Sequence, residues 1–277
     1  MAVYWREKKS IALVYIMLSI LSIAMIIPFY WMLVTSVKKP SEVITYPPVW
    51  FPSKIQWNNF RRLFQQAEFG KFFRNSSIVT ACAVPMVLFT SSLAGFIFAK
   101  YRFRGNNVLF LIVLSSMMVP FAVVMIPLYI EMTLFNWIDT FYALIAPWTV
   151  NAFGIFLMRQ FMFEVPESLM DAARIDGCSE FQIYWRIILP NIKAALSALS
   201  IFIFLWSWDS FLWPLVVTSS SNTKTLPVGV AMFSNQWWTQ YNLVMAGAVV
   251  IVLPVLIVFL MLQRHFIQGI VLSGLKV

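Results

Sequence analysis

One acidic residue stands well inside an apolar run. It is Asp209, in the stretch Trp206-Ser207-Trp208-Asp209-Ser210-Phe211-Leu212-Trp213-Pro214. An ionised carboxylate at the centre of a membrane helix costs roughly 2.5–3.5 kcal/mol on insertion scales, so it should face protein or a water-filled path. Aromatic faces bind the apolar faces of sugar rings and carboxylates accept hydrogen bonds from hydroxyls. Trp206, Trp208, Asp209 and Trp213 are therefore candidates for a carbohydrate path. The competing reading is an aromatic belt at the outer membrane interface with one snorkelling acid. A proton relay would want further intramembrane acids or histidines, and the sequence offers none. Other reactive types are sparse. Cys82 and Cys178 are far apart along the chain, which argues against a disulfide or a shared metal. His265, the single histidine, lies beside Arg264 and has no partners for a zinc site or a Ser-His-Asp triad. Neither a Walker-type phosphate loop nor a G-x-G-x-x-G is present. These residues predict a chain that performs no covalent chemistry and carries no metal or cofactor.

The elements that must position these residues are membrane spans. Hydrophobic residues make up 61% of the 277 and charged ones only 11%, and apolar runs long enough to cross a bilayer recur. The reading is all-α, a polytopic membrane protein with six transmembrane helices in a single membrane domain over residues 1–277. The first, 11–34, is too long for a cleavable signal peptide and lacks an A-x-A-like exit, so it is expected to be retained. A polar loop follows over 38–74, in which Phe60, Leu63 and Phe64, then Phe69, Phe72 and Phe73, repeat an i, i+3, i+4 spacing suited to interfacial helices. The remaining spans are predicted at about 77–99, 108–130, 141–163, 194–217 and 243–262. In the second, Ser91, Gly95 and Ala99 form a small-xxx-small row that would let another helix approach closely, although chance accounts for such rows equally well. In the third, Pro120 and Pro127 fall on nearly one face and should kink it; Pro147 interrupts the fourth. An even span count puts both termini on one side. The short loop 100–107 carries Lys100, Arg102 and Arg104 while 131–139 carries no basic residue, which assigns the termini to the cytoplasm. The net charge of +9 then reflects loops beside anionic lipid rather than nucleic-acid binding.

The longest polar interruption of the C-terminal half is Glu164 to Pro190. Pro166 fits the first turn of a helix over 167–176, and Gly177 fits a left-handed stop. Ser179 and Gln182 have the spacing of a capping box. Phe181, Tyr184, Trp185 and Ile188 would share the apolar face of a second helix that Pro190 closes. An ordinary amphipathic loop on the membrane surface would read similarly.

The residues decide further. Asp171-Ala172-Ala173, Gly177, Ile187 and Leu189-Pro190 resemble the "EAA" loop of ABC-importer permeases: Glu-Ala-Ala, three residues, Gly, nine residues, Ile, one residue, Leu-Pro. Every spacing matches, and Asp171 for Glu is the one substitution. With the Trp-rich segment and the tail QRHFIQGIVLSGLKV, the chain resembles a type I ABC-importer permease of the carbohydrate-uptake family, in particular the six-span partner of the maltose-type heterodimer. The resemblance implies a permease core over 72–264, a cytoplasmic coupling loop over 164–190 and a cytoplasmic tail over 263–277. It places Leu169, Met170, Asp171, Ala172, Ala173, Arg174, Asp176 and Gly177 at the contact with an ATPase, with Ser273, Gly274 and Lys276 of the tail reaching the same way. It implies a homologous permease subunit, two ATPase subunits that hold the ATP and Mg, an extracytoplasmic solute-binding protein, and a sugar or oligosaccharide as cargo. The expected location is a bacterial inner membrane, with lipid around the spans and both termini cytoplasmic. An importer of a non-sugar solute, or an ion-coupled secondary transporter, is the alternative; the latter would want inverted repeats or several intramembrane ionisable groups.

Overall fold

The computed structural model describes residues 2–66, 68–234 and 239–274; the side chains of residues 2–10, 12, 66 and 264–274 lie outside the description. Helix is the dominant structure, and among the described residues the β geometry amounts to an isolated bridge between Ser234 and Thr239. Four continuous helices are long and apolar enough to cross a membrane, and two bent pairs bring the number to six when each pair is one span.

Helix α1 (Ala2–Ser36) exposes every residue from Leu13 to Leu18, so apolar side chains point in all directions, as a lipid-facing helix requires. A short amphipathic helix α2 (Asn58–Gln66) follows and buries Leu63. Helix α3 (Phe69–Lys100) begins eight residues earlier than the hydropathy suggested. The aromatic triplet Phe69, Phe72 and Phe73 therefore belongs to its first turns, not to a second interfacial helix. At about 1.5 Å per residue this helix is about 48 Å long, more than a hydrocarbon core needs, so its polar start can extend beyond the membrane.

The third span is broken rather than kinked. Helix α4 (Asn106–Ser116) and helix α5 (Phe121–Leu134) meet at 95°. Pro120 has no N–H to give and disfavours helical backbone before it. The chain accordingly tightens: Met117, Met118 and Val119 donate to the carbonyls three residues back, and Pro120 becomes the N-cap of α5. Pro127 stays inside α5 without a break. In the fourth span, α6 (Phe141–Ile145) and a 3-10 turn at Pro147 precede α7 (Ala152–Phe163), whose cap Asn151 accepts the Gly154 amide at 2.8 Å.

The fifth span also differs from expectation. It is not one helix over 194–217: α11 (Lys193–Trp208) stops at Asp209, and α12 (Leu212–Val217) restarts three residues later. Pro214 explains the gap, because its ring would collide with the carbonyl of residue 210 in a continuous helix. Asp209 is thus an exposed C-cap rather than an acid inside a span. Helix α13 (Leu226–Ala231) and the 34-residue α14 (Tyr241–Gly274) complete the chain.

Two compact units divide these elements: Met1–Phe69 with Gly229–Val252, and Gly70–Val228 with Leu253–Val277. In the first, buried Asn59 donates to the carbonyls of Ser36 and Lys38, both at 2.9 Å, and accepts from Asn242 at 3.0 Å. In the second, one core gathers Met158, Ile183, Tyr184, Ile188 and Leu199, and another gathers Met132, Leu144 and Trp213. The loop after α12 is pinned in this unit. Asp139 accepts from the amides of Ser219 and Ser220, at 2.9 and 3.1 Å, and from the Thr223 hydroxyl. Burial pushes its carboxyl up, but these hydrogen bonds outweigh that and hold it well below the usual carboxylate range. Asn75 donates to the carbonyls of Ser221 and Lys224, and Ser76 accepts from the Leu226 amide.

Candidate functional site

The loop between α7 and α11 is two short helical pieces fixed to each other. Helix α8 (Glu167–Ile175) starts after Pro166 and ends in a Schellman motif. Cys178 N–H bonds the Ala173 carbonyl at 2.9 Å and Gly177 N–H bonds the Arg174 carbonyl at 3.0 Å, with Gly177 at φ +80°. A Cβ on Gly177 would touch nothing within 4 Å, so the demand there is conformational, not steric. Ser179 and Gln182 form the complete capping box of the next helix, α9 (Glu180–Ile183). It continues through a π turn, Tyr184–Ile188, into α10 (Leu189–Asn191), and the chain then bends by 81° into α11.

The buried face is not the one the spacing predicts. Tyr184 and Ile188 are buried as expected, but Phe181 and Trp185 are not; they stand 60% and 58% exposed while Ile183 takes an inner place. Tyr184 Oη shares a hydrogen bond of 2.8 Å with Ser92 of α3, and its ring lies 5.5 Å from that of Phe96. Within α8, Met170 and Ala173 point into the same core. Leu169, Asp171, Ala172, Arg174, Asp176 and Gly177 are exposed, as is Ile175.

Charge holds the two pieces together. Arg174 Nε donates to Glu180 at 2.8 Å and Nη1 to Asp171 at 2.9 Å, and Tyr101 Oη donates to the second oxygen of Glu180. Desolvation and then the Glu180 carboxylate push the Tyr101 phenol up to about 12, so it stays a donor at neutral pH. The Arg174 hydrogen bond, then that of Tyr101, holds Glu180 below the usual carboxylate range. Asp171, Arg174, Glu180 and Tyr101 form one continuous chain from α8 through α9 to the end of α3.

Behind the loop, α3 and α7 approach closely. A Cβ added at Gly95 would lie 2.7 Å from Met158 Cβ, and one at Gly154 would collide with Ser91 Oγ. Ala99 is partly buried against the same core. The row Ser91, Gly95 and Ala99 thus faces α7 and the core around it.

A cavity of about 440 Å³ opens between α3, α5, α6, α11 and α12, beside the Asn151 cap of α7. It brings together Trp206 and Trp213, but not Trp208 or Asp209. Trp208 is buried against Phe204, stacked at 5.6 Å, and Asp209 points elsewhere. Trp213 is buried and donates from Nε1 to the Ala143 carbonyl at 2.8 Å. Sequence reasoning missed Trp148, Asn151, Ser207, Ser210 and Thr225, which also line the cavity. The Thr225 hydroxyl is buried there with no hydrogen-bond partner. Only Pro147, a helix interrupter, hinted at Trp148; nothing in spacing marked the rest. Cys82 and Cys178 are free. The side chains of His265 and Ser273, the surroundings of Gly274 and the whole of Lys276 lie outside the description.

Residues 91–271 match the family of the binding-protein-dependent transport system inner membrane component. The chain is 36% identical over 259 residues to the arabinooligosaccharides transport system permease protein AraQ of Bacillus subtilis, covering 92% of each. It is 33% identical over 255 residues to the lactose transport system permease protein LacG of Rhizobium radiobacter, covering 92% of this chain and 93% of that one. The crystal structure of a bacterial ABC transporter that imports the acidic polysaccharide alginate contains a chain of the same fold. Its TM-score is 0.80 over 91% of this chain and 94% of that one, at 24% identity. The chain belongs to the binding-protein-dependent transport family: it is a multi-pass inner-membrane permease subunit of an ABC importer, with the type I permease fold and with ATP hydrolysis left to a separate subunit.

Proposed function

We propose that this permease pairs with a homologous subunit to form the path for a sugar or oligosaccharide delivered by an extracytoplasmic binding protein. Two ATPase subunits, holding ATP and Mg, drive alternating access from the cytoplasm, where both termini lie. The observation that carries the reading is the construction of the 164–191 loop. One side of α8 is sunk in the chain's own core through Met170 and Ala173, while Leu169, Ala172 and Ile175 are left outside. A short helix so fixed moves as a rigid lever when a partner pushes its exposed side. The contact is therefore assigned to Leu169, Asp171, Ala172 and Ile175, and Ala173 acts by holding the lever in place. Sugar as cargo is supported by the arabinooligosaccharides and lactose permeases among the relatives and by three tryptophans around one cavity with hydroxyl and amide groups.

Two variants test the coupling. Gly177→Pro cannot adopt φ +80° and should abolish uptake. Ala172→Arg alters only the exposed face and should abolish uptake and ATPase co-purification, with normal amounts of chain in the membrane. A bulky residue at Ala173 would confound packing with contact. Full uptake in the Ala172→Arg importer would sink the assignment.

A further inference from the structure

A second concavity, about 600 Å³, lies where the end of α3, the start of α4 and the end of α7 meet the 164–191 loop. Its charged lining is unbalanced: Lys100, Arg102 and Arg159 against the single carboxylate of Glu167. Lys100 Nζ donates to the Val165 carbonyl at 2.6 Å, which places it at the groove wall and leaves two of its three donors unspent. The Arg159 guanidinium stands 3.8 Å from the ring centroid of Phe110 and 4.6 Å from that of Phe163, and its Nε donates to the Phe98 carbonyl at 3.3 Å. Among the described residues no carboxylate pairs with it. Its ring stacking fixes the plane of the guanidinium while its terminal donors remain to be used, an arrangement suited to a tetrahedral oxyanion.

Two further features favour an anion. Helix α4 starts at the groove with Asn106 and Asn107 in the lining, and its N-cap is Gly105 at φ +87°, which supplies no side-chain cap. The positive end of an eleven-residue helix therefore adds to the three cations. Apolar side chains stand exposed in the same lining: Phe103 and Phe163 are 40% and 49% exposed. Cations and exposed apolar side chains in one lining match a molecule with a charged head and a greasy remainder.

We propose that this groove binds a phosphate group, carried by an acidic phospholipid or by a soluble phosphate ester, between Lys100, Arg102 and Arg159. Because Val165, Pro166 and Glu167 form part of its wall, occupancy stiffens the entry to the coupling loop. A bound phosphate links α3, α4 and α7 at the point where the lever begins.

The test uses the full chain purified with its partner subunits. The complex is placed in nanodiscs of phosphatidylcholine, with or without phosphatidylglycerol, and retained lipid is counted by native mass spectrometry. Wild type should retain phosphatidylglycerol in preference to phosphatidylcholine. Arg102→Gln and Arg159→Gln should each lower that retention about fivefold, the factor expected for one basic residue near an acidic lipid. Arg102 is exposed, so its variant keeps the test independent of any packing loss at Arg159. Inorganic phosphate forms a second arm: if it raises the melting temperature in pure phosphatidylcholine discs, and the variants remove the effect, the source includes soluble phosphate. A response to phosphatidylglycerol alone assigns the site to lipid. Equal retention by wild type and both variants, with no response to phosphate, overturns the proposal. None of these readings depends on which solute is transported.

Discussion

Asp171 is one methylene shorter than the glutamate of the family motif, and the structure gives that charge an occupation inside its own chain. It pairs with Arg174 at i, i+3, and Arg174 hands the link to Glu180. Exposed pairs of this kind do little for stability. Their effect is on geometry, because Arg174 is the only side chain seen to join α8 to α9 by charge among the described residues. Arg174→Ala is therefore expected to lower the melting temperature by no more than a degree or two while cutting the initial rate of ATP-driven uptake several-fold. Equal small losses in both measurements would reduce Arg174 to a surface residue. The motif's residues were readable from their spacing, down to the capping box. What spacing could not supply was the division of the loop into inner and outer faces, since Ala172 and Ala173 are chemically the same and only packing tells them apart.

At the scale of elements, the contact between α3 and α7 carries a sharp prediction. Gly95→Val places carbon within 2.7 Å of Met158 and within 2.9 Å of the Arg159 amide, and overpacking of this kind costs about 1–3 kcal/mol. Gly70, with nothing within 4 Å of an added Cβ, is the matched control, and Gly70→Ala should unfold like wild type in a thermal melt. The existence of the long helices was legible, because hydropathy and length define spans whatever their partners, whereas the short α13 was not. The two breaks were less legible. Pro120 announced trouble while Pro214 was passed over, and whether a proline kinks or ends a helix depends on whether neighbours re-satisfy the freed carbonyls, which is a tertiary matter. The π turn at Tyr184–Ile188 left no mark in the sequence, nor did the exposure of Phe181 and Trp185 on the outer side.

For the whole molecule, the coupling loop and the cavity are joined by one helix. Helix α11 leaves the 81° bend at Ile192 and ends at Trp208, and its last turns supply Trp206 and Ser207 to the cavity wall. The second half of the loop is thus joined to the cavity wall through one bend and one helix. Trp206 is 52% exposed, so Trp206→Ala should leave the amount of folded chain unchanged. Loss of one ring face, about 1–1.5 kcal/mol, predicts a roughly tenfold fall in the initial rate of sugar uptake at subsaturating substrate, read against membrane abundance. The Tyr101–Glu180–Arg174–Asp171 chain has a consequence of another kind. Its carboxylates face water, with Asp171 64% and Glu180 49% exposed, so the solution around them sets how firmly they hold. In cytosol-like salt the Debye length is about 8 Å, and contacts of 2.8–2.9 Å survive. In molar salt it contracts to about 3 Å, the size of the contacts themselves. The joint between α8 and α9 is therefore partly a property of the electrolyte it is bathed in, and a cell that concentrates its ions as it loses water also loosens that joint.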